Sequence, residues 1–174
     1  GRCHSCAGGA AVRKHYWDTM RARHNNTLIA SLGTHFFGGS FHAVFNSTFA
    51  SQFQSLYDVL GVDNAEVFGG TQTLAAFIDA IPPPPTGAAG PTKLIAANIV
   101  PQAHSPLLGR LVPWTVLERS GRLVGVVGVA NLEVGIKGLQ PSDHHEVWFL
   151  DGHVAVNKAV FELRLAHPTC SIIV

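Results

Sequence analysis

Two glycine-containing loops carry the residue types that could form a catalytic or binding site. The first loop, Gly33 to Gly38, reads GTHFFG, and the second, Phe68 to Thr71, reads FGGT. Each loop follows a strand-like segment, and in an α/β protein the loops at the carboxyl ends of neighbouring strands form the ligand site. Hydroxyl and imidazole groups are present in these loops, but neither loop contains a carboxylate. That absence bears directly on any metal or phosphate chemistry.

Other chemistry-bearing residues give weaker patterns. Ser40 lacks the G-x-S-x-G sequence of a nucleophile turn, and the loops lack the Lys-Ser/Thr of a phosphate-binding P-loop. A replacement metal site at His35 and His42 is conceivable, although packing or surface hydrogen bonding is favoured. The run Asp143 to His145 could bind a metal, but adjacent residues point in different directions. A solvated loop is the favoured interpretation of that run.

Composition indicates one compact domain over residues 1–174. The chain is 47% hydrophobic and 13% charged, with a formal net charge of +1. This near-neutral charge gives no electrostatic reason to expect a nucleic acid polymer or an anionic membrane as partner. No apolar run approaches the roughly 20 residues of a membrane-spanning helix. The chain begins at Gly1 without a methionine, as expected of a processed product or a piece of a longer chain.

Cysteines and glycosylation sequons favour an extracellular, secreted protein. Cys3 and Cys6 are close enough for a local disulfide in an oxidising compartment, which leaves Cys170 as an odd thiol. Cys170 is expected to be buried, with a bond to a partner chain as the sharper alternative. Asn25 and Asn46 each begin an N-x-[ST] triplet and are the predicted glycosylation sites.

Hydrophobic periodicity predicts helices alternating with strands and one hairpin. The predicted helices cover Ala10 to Arg23, Ser47 to Leu60, Leu74 to Ile81 and a segment capped by Asp151 that presents Val156, Val160 and Leu163. The predicted strands cover residues 27–32, 65–68, 93–98, 114–118, 123–130, 147–150 and 170–174. Pro82 should end a helix and open a Pro/Gly surface loop over residues 82–91. This order predicts an α/β fold with a mixed, mostly parallel sheet layered with helices.

Motifs in the same order resemble a known family. They are Cys6 to Arg13 (C-x-G-G-x-A-R), Asn26 to Gly38 (N-T-L-L-L-D-A-G-D-x-F-x-G), Leu60 to Gln72 (L-G-Y-D-A-x-x-x-G-N-H-E), Leu94 to Asn98 (S-A-N), Leu107 to Pro113, Val124 to Gly128 (V-G-I-I-G) and Phe149 to Asp151 (F-x-D). Together they resemble the catalytic domain of the 5′-nucleotidase family of calcineurin-like metallophosphoesterases. The resemblance implies part of an α/β/β/α sandwich.

The resemblance also implies which positions carry the chemistry. The family uses two divalent metals about 3.5–4 Å apart, bridged by a carboxylate. Its bridging Asp falls on Thr34, its Asn ligand on Gly70 and its transition-state His on Thr71. Its first D-x-H motif would lie before Gly1, and its later ligands after Val174. We therefore expect catalytic degeneracy at Thr34, Gly70 and Thr71, with no metal cofactor.

These observations favour a secreted, catalytically degenerate 5′-nucleotidase-like module with a structural or binding role. Unpaired strand edges, such as the segment Ser171 to Val174, would allow self-association or assembly with other extracellular chains. One alternative is an active, metal-dependent nucleotide or phosphomonoester hydrolase whose remaining ligands lie outside this segment. Another is a nucleotide- or glycan-binding module without turnover.

Overall fold

The computed structural model describes residues 9–35, 51–63, 66–67, 69–82, 93–131, 143–170 and 172–173. Three helices lie in these residues: α1 (Ala10–Arg23), α2 (Thr71–Asp79) and α3 (Gly152–Ala166), with a short 3₁₀ helix at Gln54–Leu56. The strands are β1 (Ala30–Ser31), β2 (Val59–Gly61), β3 (Lys93–Ile95), β4 (Ile99–Pro101), β5 (Leu111–Val112), β6 (Trp114–Arg119), β7 (Arg122–Val127), β8 (Val147–Phe149) and β9 (Ile172–Ile173).

A four-stranded parallel sheet in the order β1-β2-β3-β5 forms the centre of the fold. Leu60 in β2 lies opposite Ser31 on one side and Leu94 on the other. Parallel neighbours need a crossover connection, and α2 lies in the connection between β2 and β3. Leu60, Leu94 and Phe77 are at most 1% exposed, so the core lies between this sheet and α2.

Two further sheets complete the described strands. β6 and β7 form an antiparallel hairpin, and β9 adds parallel to β7. Ser120 and Gly121 join the hairpin with φ values of 50° and 73°. Positive φ at both turn residues matches the right-handed twist of a hairpin. β4 pairs with β8 in a separate antiparallel ladder. The predicted α/β fold with a mixed, mostly parallel sheet is confirmed.

The glycines in and after β7 lie where other parts of the chain come close. A Cβ on Gly125 would lie 2.6 Å from Leu163 Cδ1 of α3, and one on Gly128 would lie 2.5 Å from the backbone oxygen of Ile95. Both distances are shorter than any normal contact, so neither position accepts a larger residue without movement of its neighbour.

The predicted elements between residues 47 and 68 were partly wrong. In the described part of the helix predicted to end at Leu60, only Ser51 is α-helical, a turn and the short 3₁₀ helix follow it, and Leu60 belongs to strand β2. The strand predicted over residues 65–68 is absent from its described positions, since Glu66 and Val67 are helical. Val59 and Leu60 are nearly fully buried between β1 and β3. Sheet pairing therefore overrides the helical spacing, which ran through Leu60 only by coincidence.

Other predictions held with small changes of boundary. Helix α1 has the predicted bounds, α2 ends before Pro82, and Asp151 caps α3 by accepting the Val154 backbone N–H at 3.0 Å. The first strand is shorter than predicted, at Ala30–Ser31. Helix α3 buries Ala155, Ala159 and Leu163, whereas Val156 and Val160 are only half-buried. Among the described residues, no helix is long and apolar enough to cross a membrane.

Candidate functional site

The first loop meets the segment that follows β2. Thr34 has a φ of 57°, and its hydroxyl donates to Asp63 Oδ2 at 3.3 Å. Left-handed backbone is uncommon for a β-branched residue, so this threonine is held in place by its surroundings. Gly33 has a φ of 123°, and a Cβ there would lie 2.4 Å from Asp63 Cβ. The backbone of the first loop therefore lies directly against Asp63.

The Glu66 carboxylate joins the first loop to the segment after β2. It is 0% exposed, and its two oxygens accept the backbone N–H groups of His35 and Asp63. Each oxygen of this buried group thereby has a partner, as a carboxylate in the interior requires. The His35 ring also has a partner, since its Nε2 lies 2.8 Å from the Gly61 carbonyl oxygen. His35 stacks on Phe77 with ring centroids 5.7 Å apart.

The second loop leads into the N-terminus of α2. Gly70 precedes the helix with a φ of 85°, and the Thr71 backbone N–H donates to Asp143 Oδ2 at 2.9 Å. The Thr71 hydroxyl donates to a carboxylate oxygen of Glu146. A Cβ on Gly70 would lie 3.1 Å from Asp143 Oδ2. Two carboxylates from one downstream segment therefore contact the start of α2.

Asn98 holds the end of the central sheet to a later segment. Its side chain is fully buried and bonds Ala130 twice, donating to the carbonyl oxygen at 2.8 Å and accepting the N–H at 2.9 Å. The Asn98 carbonyl oxygen accepts the Leu150 N–H at 2.9 Å. This asparagine therefore acts as a structural connector among β3, β7 and β8.

An ion pair at the far end of α2 shifts the pKa values of both its partners. Arg110 Nε and Nη2 donate to the two Asp79 oxygens at 2.7 and 2.8 Å. These hydrogen bonds hold the pKa of Asp79 below its ordinary value and raise the pKa of Arg110. Both side chains are well exposed, so the pair stabilises the fold by less than about 1 kcal/mol.

The structure brings together residues that sequence reasoning had kept apart. Asp143 was interpreted as part of a solvated loop, yet it binds the N-terminus of α2. Glu66 and Glu146 were missed, because their partners lie 31 and 75 positions away. One available signal was the Asp63-x-x-Glu66 spacing, which is typical of a carboxylate that bonds the backbone three residues earlier. His145 stacks on His104 with centroids 5.2 Å apart.

The structure describes only some of the residues for which the sequence predicts a site or a modification. The Cys170 thiol is buried, as expected, and donates to the Leu123 carbonyl oxygen at 3.5 Å. Asn25 is exposed in the turn after α1. The remaining ones lie outside the described residues: Cys3, Cys6, Ser40, His42 and Asn46. Most of the predicted Pro/Gly loop also lies outside them.

Comparison with known structures identifies the fold. The chain superposes on NAD nucleotidase (NadN) of Haemophilus influenzae with a TM-score of 0.80 at 15% identity, covering 95% of this chain and 27% of that one. It superposes on the calcineurin-like phosphoesterase YfkN of Bacillus subtilis with a TM-score of 0.70 at 16% identity, covering 97% and 53%. The fold is therefore that of the calcineurin-like metallophosphoesterases.

Sequence likeness narrows the class further, although no protein-family model matches the chain. The chain is 25% identical over 165 residues to a probable 5′-nucleotidase of Treponema pallidum (strain Nichols), covering 94% of this chain and 26% of that protein. It is 27% identical to a 5′-nucleotidase precursor of Thermus thermophilus, with a TM-score of 0.80 and coverage of 95% and 30%. The chain is a 5′-nucleotidase-like domain. It spans about a quarter of the length of the curated relative it matches.

Proposed function

We propose that this chain is a catalytically degenerate 5′-nucleotidase-like domain with a binding or structural role. The observation that carries the proposal is the hydrogen bonding of the Thr34 and Thr71 hydroxyl groups. Both stand where the resemblance places groups that handle metal and phosphate, and both hydroxyls donate to carboxylates of the chain itself. Their hydrogen-bonding capacity is thus directed to internal partners.

The residues at these positions do not fit a two-metal centre. A bridging ligand must carry negative charge to hold two divalent ions close together, whereas the Thr34 hydroxyl is neutral. Gly70 has no side chain to offer a metal. Among the described residues, no group of three or more His, Cys, Asp and Glu side chains is arranged to hold an ion. We therefore assign no metal-dependent step to these positions.

The N-terminus of α2 is also poorly suited to phosphate. Helix N-termini attract anions through free N–H groups and the helix dipole. Here the Thr71 N–H already donates to Asp143, and Glu146 lies beside it. A phosphate would have to displace one carboxylate and approach another. These contacts support the proposal that the domain does not bind a substrate phosphate at the N-terminus of α2.

Enzyme assays test the proposal against the hydrolase alternative. The 174-residue chain and its longer parent, where one exists, would be assayed with 5′-nucleotides and a phosphomonoester in the presence of zinc, manganese or magnesium. We expect no turnover above the metal-only background. Metal-dependent turnover that a chelator abolishes, and that survives replacement of His35 and His42, would contradict catalytic degeneracy. Calorimetric titration with nucleosides and oligosaccharides then separates a binding role from a structural one.

We also propose that the protein is extracellular. Asn25 supports this because its side chain is exposed in the turn after α1, where a glycan would not disturb the core. Mass spectrometry of peptides from the native protein checks for a glycan at Asn25 and Asn46, and non-reducing digests check for a Cys3–Cys6 disulfide. Unmodified asparagines together with reduced cysteines would contradict an extracellular location.

A further inference from the structure

Helix α3 presents a stripe of large apolar side chains to solvent. Val154, Phe161 and Leu165 are 63%, 68% and 72% exposed. Their spacing of seven and four residues places them on one face of the helix. Large exposed apolar side chains gathered on one face mark an interaction surface, whereas scattered ones need no explanation.

The opposite face of α3 is fixed in the core, so the stripe is not a misplaced inner face. Ala155, Ala159 and Leu163 are at most 2% exposed, and Leu163 lies against Gly125 in β7. Rotating the helix to bury the stripe would expose these residues and break that close contact. Phe161 and its neighbours therefore stay outside in the folded chain and need a partner to be covered.

Charged groups within this face indicate what that partner is. Lys158 lies between Val154 and Phe161, and its Nζ is 3.8 Å from Glu162 Oε1 in a loose, exposed pair. Along the helix, this face carries an apolar residue, a basic residue, an apolar and an acidic residue side by side, and a second apolar end, in the order Val154, Lys158, Phe161, Glu162 and Leu165. Two copies of such a helix, placed antiparallel, bring opposite charges together.

We propose that α3 pairs antiparallel with α3 of a second copy of this chain. A two-fold axis near residue 160 places Val154 opposite Leu165 of the second copy and Lys158 opposite Glu162 of the second copy. An interface formed about a two-fold axis is isologous, so each contact occurs twice. The aliphatic stem of each lysine then covers the Phe161 ring of the other copy while its ammonium group reaches the glutamate.

A groove lies beside the stripe, along its charged edge. Its volume is about 200 Å³, and it is lined by Pro101, Leu150, Ala155 and Ala159, with Lys158 and Glu162 at one side. The two-fold axis is perpendicular to the plane that contains the two paired helices. It therefore leaves the two grooves on the same side of the helix pair. Lys158 and Glu162 therefore lie between each groove and the apolar stripe, at the edge of the proposed interface.

The expected association is weak, because one helix pair is a small interface. Fifteen residues of α3 span about 22 Å. Stable complexes bury at least about 1,200 Å² in total, which a single helix pair hardly reaches. We therefore expect a dissociation constant in the range of about 1–100 µM. This route differs from strand addition at residues 171–174, because it uses one face of a helix and not the edge of strand β9.

Sedimentation velocity of the 174-residue chain over a range of concentrations tests the pairing. We expect reversible dimers, and a Phe161→Ser variant should weaken them by about ten-fold or more. Leu108→Ser is the matched control, because Leu108 is 54% exposed on a loop outside the stripe. Circular dichroism checks that both variants fold. A wild-type chain that is monomeric at about 500 µM would overturn the proposal.

A charge swap gives the sharper test. Lys158→Glu and Glu162→Lys each place like charges opposite one another, and each should weaken the dimer by about ten-fold. The double variant restores opposite charges and should return to within about three-fold of the wild-type dissociation constant. Dimers that ignore these changes would place the interface elsewhere and refute the α3 pairing. The result is independent of the proposed loss of catalysis, which is measured by turnover.

Discussion

The Glu66 carboxylate accepts the backbone N–H of His35 across 31 positions of the chain. The other oxygen of Glu66 accepts the Asp63 N–H at 2.9 Å, so one buried side chain holds the loop after β1 to the segment after β2. The loop after β1 contains Thr34, and the segment after β2 leads to Thr71. The geometry of the candidate site therefore depends on a residue that takes no part in the chemistry expected there.

Replacing Glu66 should destabilise the fold substantially. Glu66→Ala removes a fully buried side chain and leaves the N–H groups of His35 and Asp63 without their acceptor, which we expect to lower the free energy of unfolding by about 2–4 kcal/mol. Urea denaturation followed by circular dichroism measures the loss. Glu118→Ala is the control, since Glu118 is exposed on β6 and should change stability by less than about 0.5 kcal/mol. Equal stability of the two variants would show that Glu66 is not the connector described here.

Substitution of Gly33 should be costly for steric reasons. An alanine Cβ at this position would meet Asp63 Cβ at 2.4 Å, so the loop after β1 must move away. We expect Gly33→Ala to lower the free energy of unfolding by about 3 kcal/mol. Gly109→Ala is a matched control: its φ of 77° is also positive, but nothing lies within 4 Å of the added Cβ. That variant should lose only about 1 kcal/mol, from backbone strain alone. Equal losses would argue against the contact with Asp63.

Asp58 ties α1 and β6 to the edge of the central sheet. Its oxygens lie 3.2 Å from Arg21 and 2.8 Å from Arg119, and Oδ2 accepts the Ile29 N–H at 2.8 Å. The Asp58 side chain is only 7% exposed, so the pairs are little screened by solvent. Asp58→Asn should lower the free energy of unfolding by about 2–4 kcal/mol. Asp18→Asn, at an exposed pair on α1, should cost under about 0.5 kcal/mol in the same denaturation experiment.

Acid should remove the contribution of the Asp79–Arg110 pair. Folding lowers the pKa of Asp79, chiefly through hydrogen bonds from Arg110, so this stabilisation is present above the ordinary value of 3.8. It is lost as the pH falls through the lower pKa of the folded state. At pH 7, Asp79→Asn should lower the free energy of unfolding by less than about 1 kcal/mol. The wild type and the variant should converge once the pH lies below the pKa of Asp79 in the folded state, and a difference that persists there would exclude this pair as its source.

Local chemistry made some elements predictable. Asp151 is predictable as a cap because a short acidic side chain before an apolar helix can accept its first N–H groups. Pro82 ends α2 because proline disfavours helix in the residue before it. The hairpin around Ser120 and Gly121 follows from two β-rich runs joined by a glycine-containing turn. In each case the cause lies within a few residues of its effect.

Strand β2 was missed because its cause is distant. The spacing that ends at Leu60 fits a helix, and only pairing with β1 and β3 makes residues 59–61 a strand. Its burial between two parallel neighbours is worth more than the helix propensity of so short a segment. The strand predicted at residues 65–68 was also wrong: Glu66 and Val67 are helical, and Glu66 accepts one local N–H, from Asp63, and one distant N–H, from His35.

The sequence by itself determined the fold class, the two loops and the uncharged residues at Thr34, Gly70 and Thr71, because these depend on residue type and local order. Only the tertiary structure decided which carboxylates reach those loops. Glu66, Asp143 and Glu146 find their partners across 31 to 75 positions. Periodicity describes one element at a time, whereas such contacts arise from the arrangement of several elements in three dimensions. The exposed stripe on α3 was decided in the same way, by which face of the helix the core leaves uncovered.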